Sequence, residues 1–167
     1  MKYENITMIP NVHSEIRYAL TKDGSNPLLV IGLNPSTANE TKPDNTMKSV
    51  LRIASYNNYD GFVMLNLYPL RSTCPAKLPE QSDTEIYENN IHVIKDILEK
   101  YPESDILLAY GNNIIQKKYL RQYAEEIIKM LREMGRNILC IGVTKCGMPK
   151  HPLYASSNSA LKPYLIK

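Results

Sequence analysis

Four short apolar runs constrain this chain more than any other feature. They occupy residues 28–33 (LLVIGL), 62–67 (FVMLNL), 106–110 (ILLAY) and 138–143 (ILCIGV). Each is nearly continuous rather than alternating in polarity. A strand with one wet face alternates with period two, so continuous runs of this length predict strands covered on both faces, as in a parallel sheet. The polarity pattern between the runs changes to a helical period. Met47, Val50, Leu51 and Ala54 make one apolar stripe. Ser82 and Glu85 have capping-box spacing and predict the start of a second helix, which carries Ile86, Ile91, Ile94, Ile97 and Leu98 and stops near Pro102. A third helix aligns Leu120, Tyr123, Ala124, Ile127, Ile128, Leu131 and Met134, with Gly135 at the C-terminal cap.

Strand and helix alternating in this way predict an α/β fold with right-handed crossovers and a four-stranded, mainly parallel sheet of order 2-1-3-4. Residues 15–21 alternate weakly before Asp23-Gly24, a turn signal, and predict an N-terminal edge strand or hairpin. A chain of 167 residues suits one domain, 1–167, with one core. The segments 34–45 and 68–81 read as long loops, which in a compact domain are often functional.

Composition narrows the class. No apolar run approaches the roughly 20 residues that span a bilayer, and the N-terminal ten residues lack the apolar stretch of a signal peptide, so the expected location is the cytoplasm, with no membrane partner. Cys74, Cys140 and Cys146 are too few and too widely spaced for a disulfide framework or a zinc site. Cys140 reads as a small core residue, and no metal or cofactor is expected. A net charge of +3 permits contact with phosphates without coating nucleic acid electrostatically. Twelve Tyr stand beside one Phe and no Trp. Tyr packs with its hydroxyl at a wet edge and also stacks on bases; most of the twelve read as structural.

Ligands of open α/β sheets bind beyond the carboxyl ends of the strands. Asn34-Pro35-Ser36-Thr37 follows the first run, and Asn66 ends the second, before Tyr68 and Arg71. Gly111-Asn112-Asn113 follows the third, and Lys150-His151-Pro152 comes after the fourth. The convergence of these amides, hydroxyls and bases on one edge is the signal. Each also has a plainer reading. Asn34-Pro35 is a common exit from a sheet, Asn66 a satisfied buried amide, Arg71 a loop charge and His151 a turn residue. Asp44 is placed to cap the Met47 helix. Lys117 and Lys118 read as a solvated helix start, and His13 and His92 as structural.

The motifs LNPSTA (33–38), DNT (44–46), YDG (59–61), NLYPLR (66–71) and KHP (150–152) closely resemble domain-of-unknown-function family 1643, over most of the chain. More distantly, Gly32-Leu33-Asn34-Pro35 is similar to the first motif of uracil-DNA-glycosylase-like enzymes, and His151-Pro152 to their last. That resemblance implies a three-layer α/β/α fold and a nucleobase, nucleotide or DNA as partner. It implies catalytic roles for Asn34, which would orient water, and His151, which would support the departing base. Asn66 would read the base edge. Gly32, Leu33, Pro35, Ser36, Thr37, Asp44, Tyr68, Arg71, Lys150 and Pro152 complete the implied binding set, with Leu153 or Tyr154 as a wedge. Two features depart from the superfamily: Ser36 replaces a glycine, and no carboxylate occupies the water-positioning place.

The chemistry suits these types. Breaking an N-glycosidic bond builds negative charge on the base, which a hydrogen-bond donor such as His151 stabilises. One side-chain amide offers a pyrimidine edge a donor and an acceptor together. Asn34 holds a water without removing its proton, as a carboxylate would. Two functions are therefore expected to compete: an N-glycosidase acting on nucleic acid or a nucleotide, and a non-catalytic protein that senses or sequesters a nucleotide or modified base.

Overall fold

A computed structural model describes residues 1–12, 14–156 and 158–165; His13 lies outside the described residues. The chain forms a mixed sheet of seven strands with three α-helices. The order is β1 (Ile6–Ile9), β2 (Ala19–Lys22), β4 (Gly61–Asn66), β3 (Pro27–Gly32), β5 (Ile106–Leu108), β6 (Ile138–Cys140) and β7 (Lys162–Pro163). The four apolar runs form the parallel centre: β3 lies between β4 and β5, and β6 joins β5.

Beyond the four central strands, the expected N-terminal hairpin is present and one further strand, β7, was not expected. β1 and β2 form an antiparallel hairpin, and β2 extends it along β4, also antiparallel. β7 closes the other side against β6. The hairpin's second strand starts at Ala19, not Glu15, because residues 14–17 pair instead with the loop after β4. Arg17 N donates to Pro69 O at 2.9 Å, and Arg71 N to Glu15 O at 2.7 Å. β1 and β7 escape a sequence reading for different reasons: β1 is four residues long, and β7 is two exposed residues held by register alone.

Helices α1 (Asn45–Tyr56), α2 (Thr84–Lys100) and α3 (Lys118–Glu133) cover the sheet. Val30 and Met64 pack with Met47, Val50 and Ile53 of α1. Leu29, Ile31, Val63 and Leu65 pack on the other face with Ile94, Leu98, Leu120 and Ile127 of α2 and α3. Both faces of β3 and β4 are thus buried, which is why their sequences do not alternate.

Three helix expectations need correction. The α2 cap is Asp83, whose side chain accepts from Ile86 N, and not Ser82, whose hydroxyl meets that of Tyr123 at 2.6 Å. Met134 sits past the last turn of α3 and is exposed; the chain leaves the helix there, with Gly135 at φ +68°. Lys117 is not solvated. It is buried just before α3 and pairs with Glu80. His92 is exposed, with Nδ1 beside Glu88 O at 2.8 Å, and Cys140 is buried as expected. None of the described helices is long and apolar enough to cross a membrane.

Candidate functional site

A cavity of about 320 Å³ opens where β3 ends. That is at the small end of the range typical of small-molecule sites. Gly32, Leu33, Asn34, Ser36 and Thr37 supply one wall, and Asp44 to Met47 at the start of α1 supply another. Ser72, Thr73 and Pro75 come from the loop after β4, Tyr110 and Asn113 from the chain after β5, and His151, Leu153 and Tyr154 from the late loop.

Asn34 staples two loops together. Its Nδ2 donates to Pro35 O at 2.9 Å, to Ser72 O at 2.9 Å and to Leu70 O at 3.4 Å. Ser72 N returns a bond to Pro35 O at 2.8 Å. The amide nitrogen is therefore committed to backbone, and Oδ1 is the atom it retains for a ligand. Arg71 works from behind the wall. Its Nε donates to Ser14 O at 3.0 Å, and its Nη1 to Ser36 O at 2.7 Å and Ala38 O at 3.0 Å.

Asp44 caps α1. Oδ1 accepts from Met47 N at 2.9 Å and Oδ2 from Ala38 N at 3.3 Å. Each carboxylate oxygen already accepts one backbone N–H, which holds the group in place as a cap and leaves it one lone pair per oxygen. The capping reading of Asp44 and its place on the cavity wall hold together.

His151 reaches the cavity because Gly111 lets it pass. Gly111 has φ +67°, and a Cβ there would lie 2.9 Å from His151 Cβ. Gly111 N donates to Pro149 O at 3.1 Å, which ties the late loop across the end of β5. His151 Nδ1 accepts from Leu153 N at 3.3 Å, so the neutral ring carries its proton on Nε2. Burial holds the imidazole pKa below its ordinary 6.5, while the Asp44 charge acts in the opposite direction. Leu153 and Tyr154 are exposed at the rim, 47% and 81% respectively.

The other sequence candidates stand apart from the cavity surface. Pro35 is buried behind its wall. Tyr68 is a core residue whose hydroxyl accepts from Asp83 N at 3.0 Å, within a ring cluster with Tyr119 and Tyr123. Lys150 is exposed with its side chain over Gly142, and Pro152 is buried in a short 3-10 turn, Pro152–Tyr154. Asn66 is fully buried and, unlike a satisfied amide, has no hydrogen-bond partner for Nδ2 or Oδ1 among the described residues. It pairs in register with Gly32. A Cβ on Gly32 would lie 3.0 Å from Asn66 Oδ1 and 2.5 Å from Met64 Cε. The amide thus sits just behind Gly32 and Met64, both of which line the cavity.

Arg17 is the main residue that the sequence reading missed. It lines the cavity and is only 2% exposed. Its Nη1 donates to Ala38 O at 2.7 Å, and its buried Nε has no partner. Burial, then the Arg71 charge, lower its pKa to about 10. Nothing in the local pattern around residues 16–18 marks it. Asn45, Thr46 and Tyr110 also escape the sequence reading, although Asn45 and Thr46 adjoin Asp44 in the motif, whereas Ser72, Thr73 and Asn113 lie in strand-end segments and do line the cavity. Among the described residues, no group of three His, Cys, Asp or Glu is arranged to hold a metal.

A family model described as "Protein of unknown function (DUF1643)" matches residues 17–153. That span begins at Arg17 and ends at Leu153, both on the cavity. No curated protein and no solved structure matches the chain.

Proposed function

Since the chain belongs to the DUF1643 family, which carries no assigned activity, we propose from the site's own chemistry that it binds a nucleobase-bearing small molecule or nucleotide. The observation that carries this reading is the Asn66 amide. Buried side-chain donors and acceptors are nearly always paired, and leaving one unpaired is costly. Asn66 leaves both unpaired behind the cavity floor. A ligand edge presenting an acceptor beside a donor, as a nucleobase does, would satisfy both. Met64 is an unbranched, adaptable side chain whose displacement would open the way. The sheet with helices on both faces, and the motifs around Asn34 and His151, support reading the fold as a uracil-DNA-glycosylase-like three-layer sandwich.

Hydrolysis of the N-glycosidic bond is the second reading. It is favoured by a neutral, partly buried His151 that keeps Nε2–H as a donor at the cavity, suited to a base becoming anionic. Against it, Asn34 has one free atom for water and both Asp44 oxygens are engaged. Binding with slow or no turnover is the better fit.

Calorimetric titration with free bases, nucleosides and nucleotides tests the first reading. The Asn66→Leu variant should lose binding while gaining thermal stability, because an apolar side chain of similar size removes two unsatisfied buried groups. Unchanged affinity in Asn66→Leu would refute the assignment. Base release in single-turnover reactions with excess protein tests the second reading. Release that persists in both Asn34→Ala and His151→Ala would remove those residues from the chemistry.

A further inference from the structure

We propose that the cavity contains an anion subsite built on Arg17, and that the ligand is a phosphorylated nucleoside whose phosphate lies between Arg17 and the start of α1; this rests on the nucleobase reading above. Arg17 and Arg71 both donate through Nη1 to Ala38 O, at 2.7 and 3.0 Å, which brings two guanidinium groups to one carbonyl oxygen. Among the described residues, neither forms an ion pair with a carboxylate within 4.0 Å. Asp44 acts on both guanidinium groups and Glu40 on Arg71, but neither carboxylate closes to ion-pair distance, and a second cation alongside a buried one adds to the cost of burial. Arg17 Nε has no partner, and its Nη2 makes no hydrogen bond among the described residues.

The opposite wall supplies further donors. Asn45 and Thr46 are the first two residues of α1, so their N–H groups have no partner within the helix. The Asp44 carboxylate is taken up by Met47 N and Ala38 N, and Asn45 and Thr46 both line the cavity. Thr37 and Thr46, each with a hydroxyl to offer, line the same space. A guanidinium fork, two backbone amides and two hydroxyls suit a tetrahedral oxyanion with several acceptor atoms better than a single carbonyl. Asp44 is the acidic residue on this wall, and the two N–H groups it accepts draw its charge towards the backbone. With Asn66 behind Gly32, the site offers a base-reading group and a phosphate-reading group within one cavity.

The test is titration of uridine, thymidine, cytidine, adenosine and guanosine, each beside its 5′- and 3′-monophosphate, with inorganic phosphate as a separate probe. At least one monophosphate is expected to bind about tenfold more tightly than its nucleoside, equivalent to 1.4 kcal/mol. Arg17→Gln should erase that gap, whatever it does to nucleoside binding, since the guanidinium fork is the group that meets the phosphate. Thr46→Val, which removes one hydroxyl from an already formed helix, should narrow the gap and serves as the arbiter if Arg17→Gln does not fold. A wild type that binds a nucleoside and its monophosphates equally would overturn this subsite and leave the nucleobase reading intact. Binding of inorganic phosphate that depends on Arg17, with no nucleoside bound, would support the subsite and overturn the nucleobase reading. A gap that persists in both Arg17→Gln and Thr46→Val would also overturn it, as would no binding of any probe.

Discussion

The guanidinium groups of Arg17 and Arg71 meet at the carbonyl oxygen of Ala38, one from a buried position on the cavity wall and the other from behind it. Arg71 ties residues 14, 36 and 38 together, so the wall that Arg17 presents is braced by a second cation. The two charges oppose one another, Asp44 offsets them in part, and an added anion would offset them further.

His151 should make stability depend on pH. Its folded pKa lies below the ordinary 6.5 because of burial. As pH falls below about 6.5, the unfolded chain takes up a proton that the folded imidazole resists, so stability declines until pH reaches the folded pKa and then levels off. Urea unfolding between pH 8 and 5 should show this decline, and His151→Gln should reduce its slope. An unchanged slope in the variant would assign the effect to other groups.

Gly111 should tolerate no side chain. Its backbone, at φ +67° and ψ −169°, lies in a region open almost only to glycine and costs another residue about 1–3 kcal/mol, and the new Cβ would sit 2.9 Å from His151 Cβ. Gly111→Ala is expected to lower stability by at least that strain and to weaken ligand binding by displacing the late loop. Thermal melts and titrations on the same preparation check both effects.

Gly32 separates affinity from stability. Its Cβ would meet Met64 Cε at 2.5 Å and Asn66 Oδ1 at 3.0 Å. The methionine tip can swing away, so Gly32→Ala should remain folded with a modest fall in melting temperature. Ligand affinity should drop at least tenfold, because the floor over Asn66 is then blocked. Wild-type affinity in this variant would mean that the ligand never approaches that floor.

Asp44 should behave as a cap first. Asp44→Ala removes the acceptor for Met47 N and is expected to cost about 0.5–2 kcal/mol, whereas Asp44→Asn should retain most of that stability. If the carboxylate charge opposes an anionic ligand, Asp44→Asn should also bind monophosphates more tightly. Chemical denaturation and titration of the two variants decide these points.

Ile127 and Met134 share one predicted stripe but have different surroundings. Ile127 is 1% exposed in the core and Met134 is 43% exposed beyond the last turn. Ile127→Ala should cost about 2–5 kcal/mol, and Met134→Ala less than about 0.5 kcal/mol. Equal effects in urea unfolding would contradict the helix end at Gly135.

Local polarity was enough to reveal the central strands and all three helices. Continuous apolar runs can be buried only on two sheet faces, and an apolar stripe of helical period only on one side of a helix. Of the edge elements, β2 left a weak alternation before its turn, but β1 and β7 are too short to carry a period and exist through pairing with β2 and β6. Asn34, Asp44 and His151 could be marked from sequence because they follow strands or precede a helix, where a sheet's open edge gathers polar groups. The tertiary structure alone decided what each one does. The amide nitrogen of Asn34 goes to loop carbonyls, Tyr68 turns into the core, and Asn66 is sealed behind Gly32 without partners. It also brought Arg17 to the wall through an interaction with residues 69–71, more than fifty positions away in the chain. Periodicity reports which side of an element is apolar. A polar atom's partner is set by which loops meet beyond the strands, and that depends on the packing of the whole sheet.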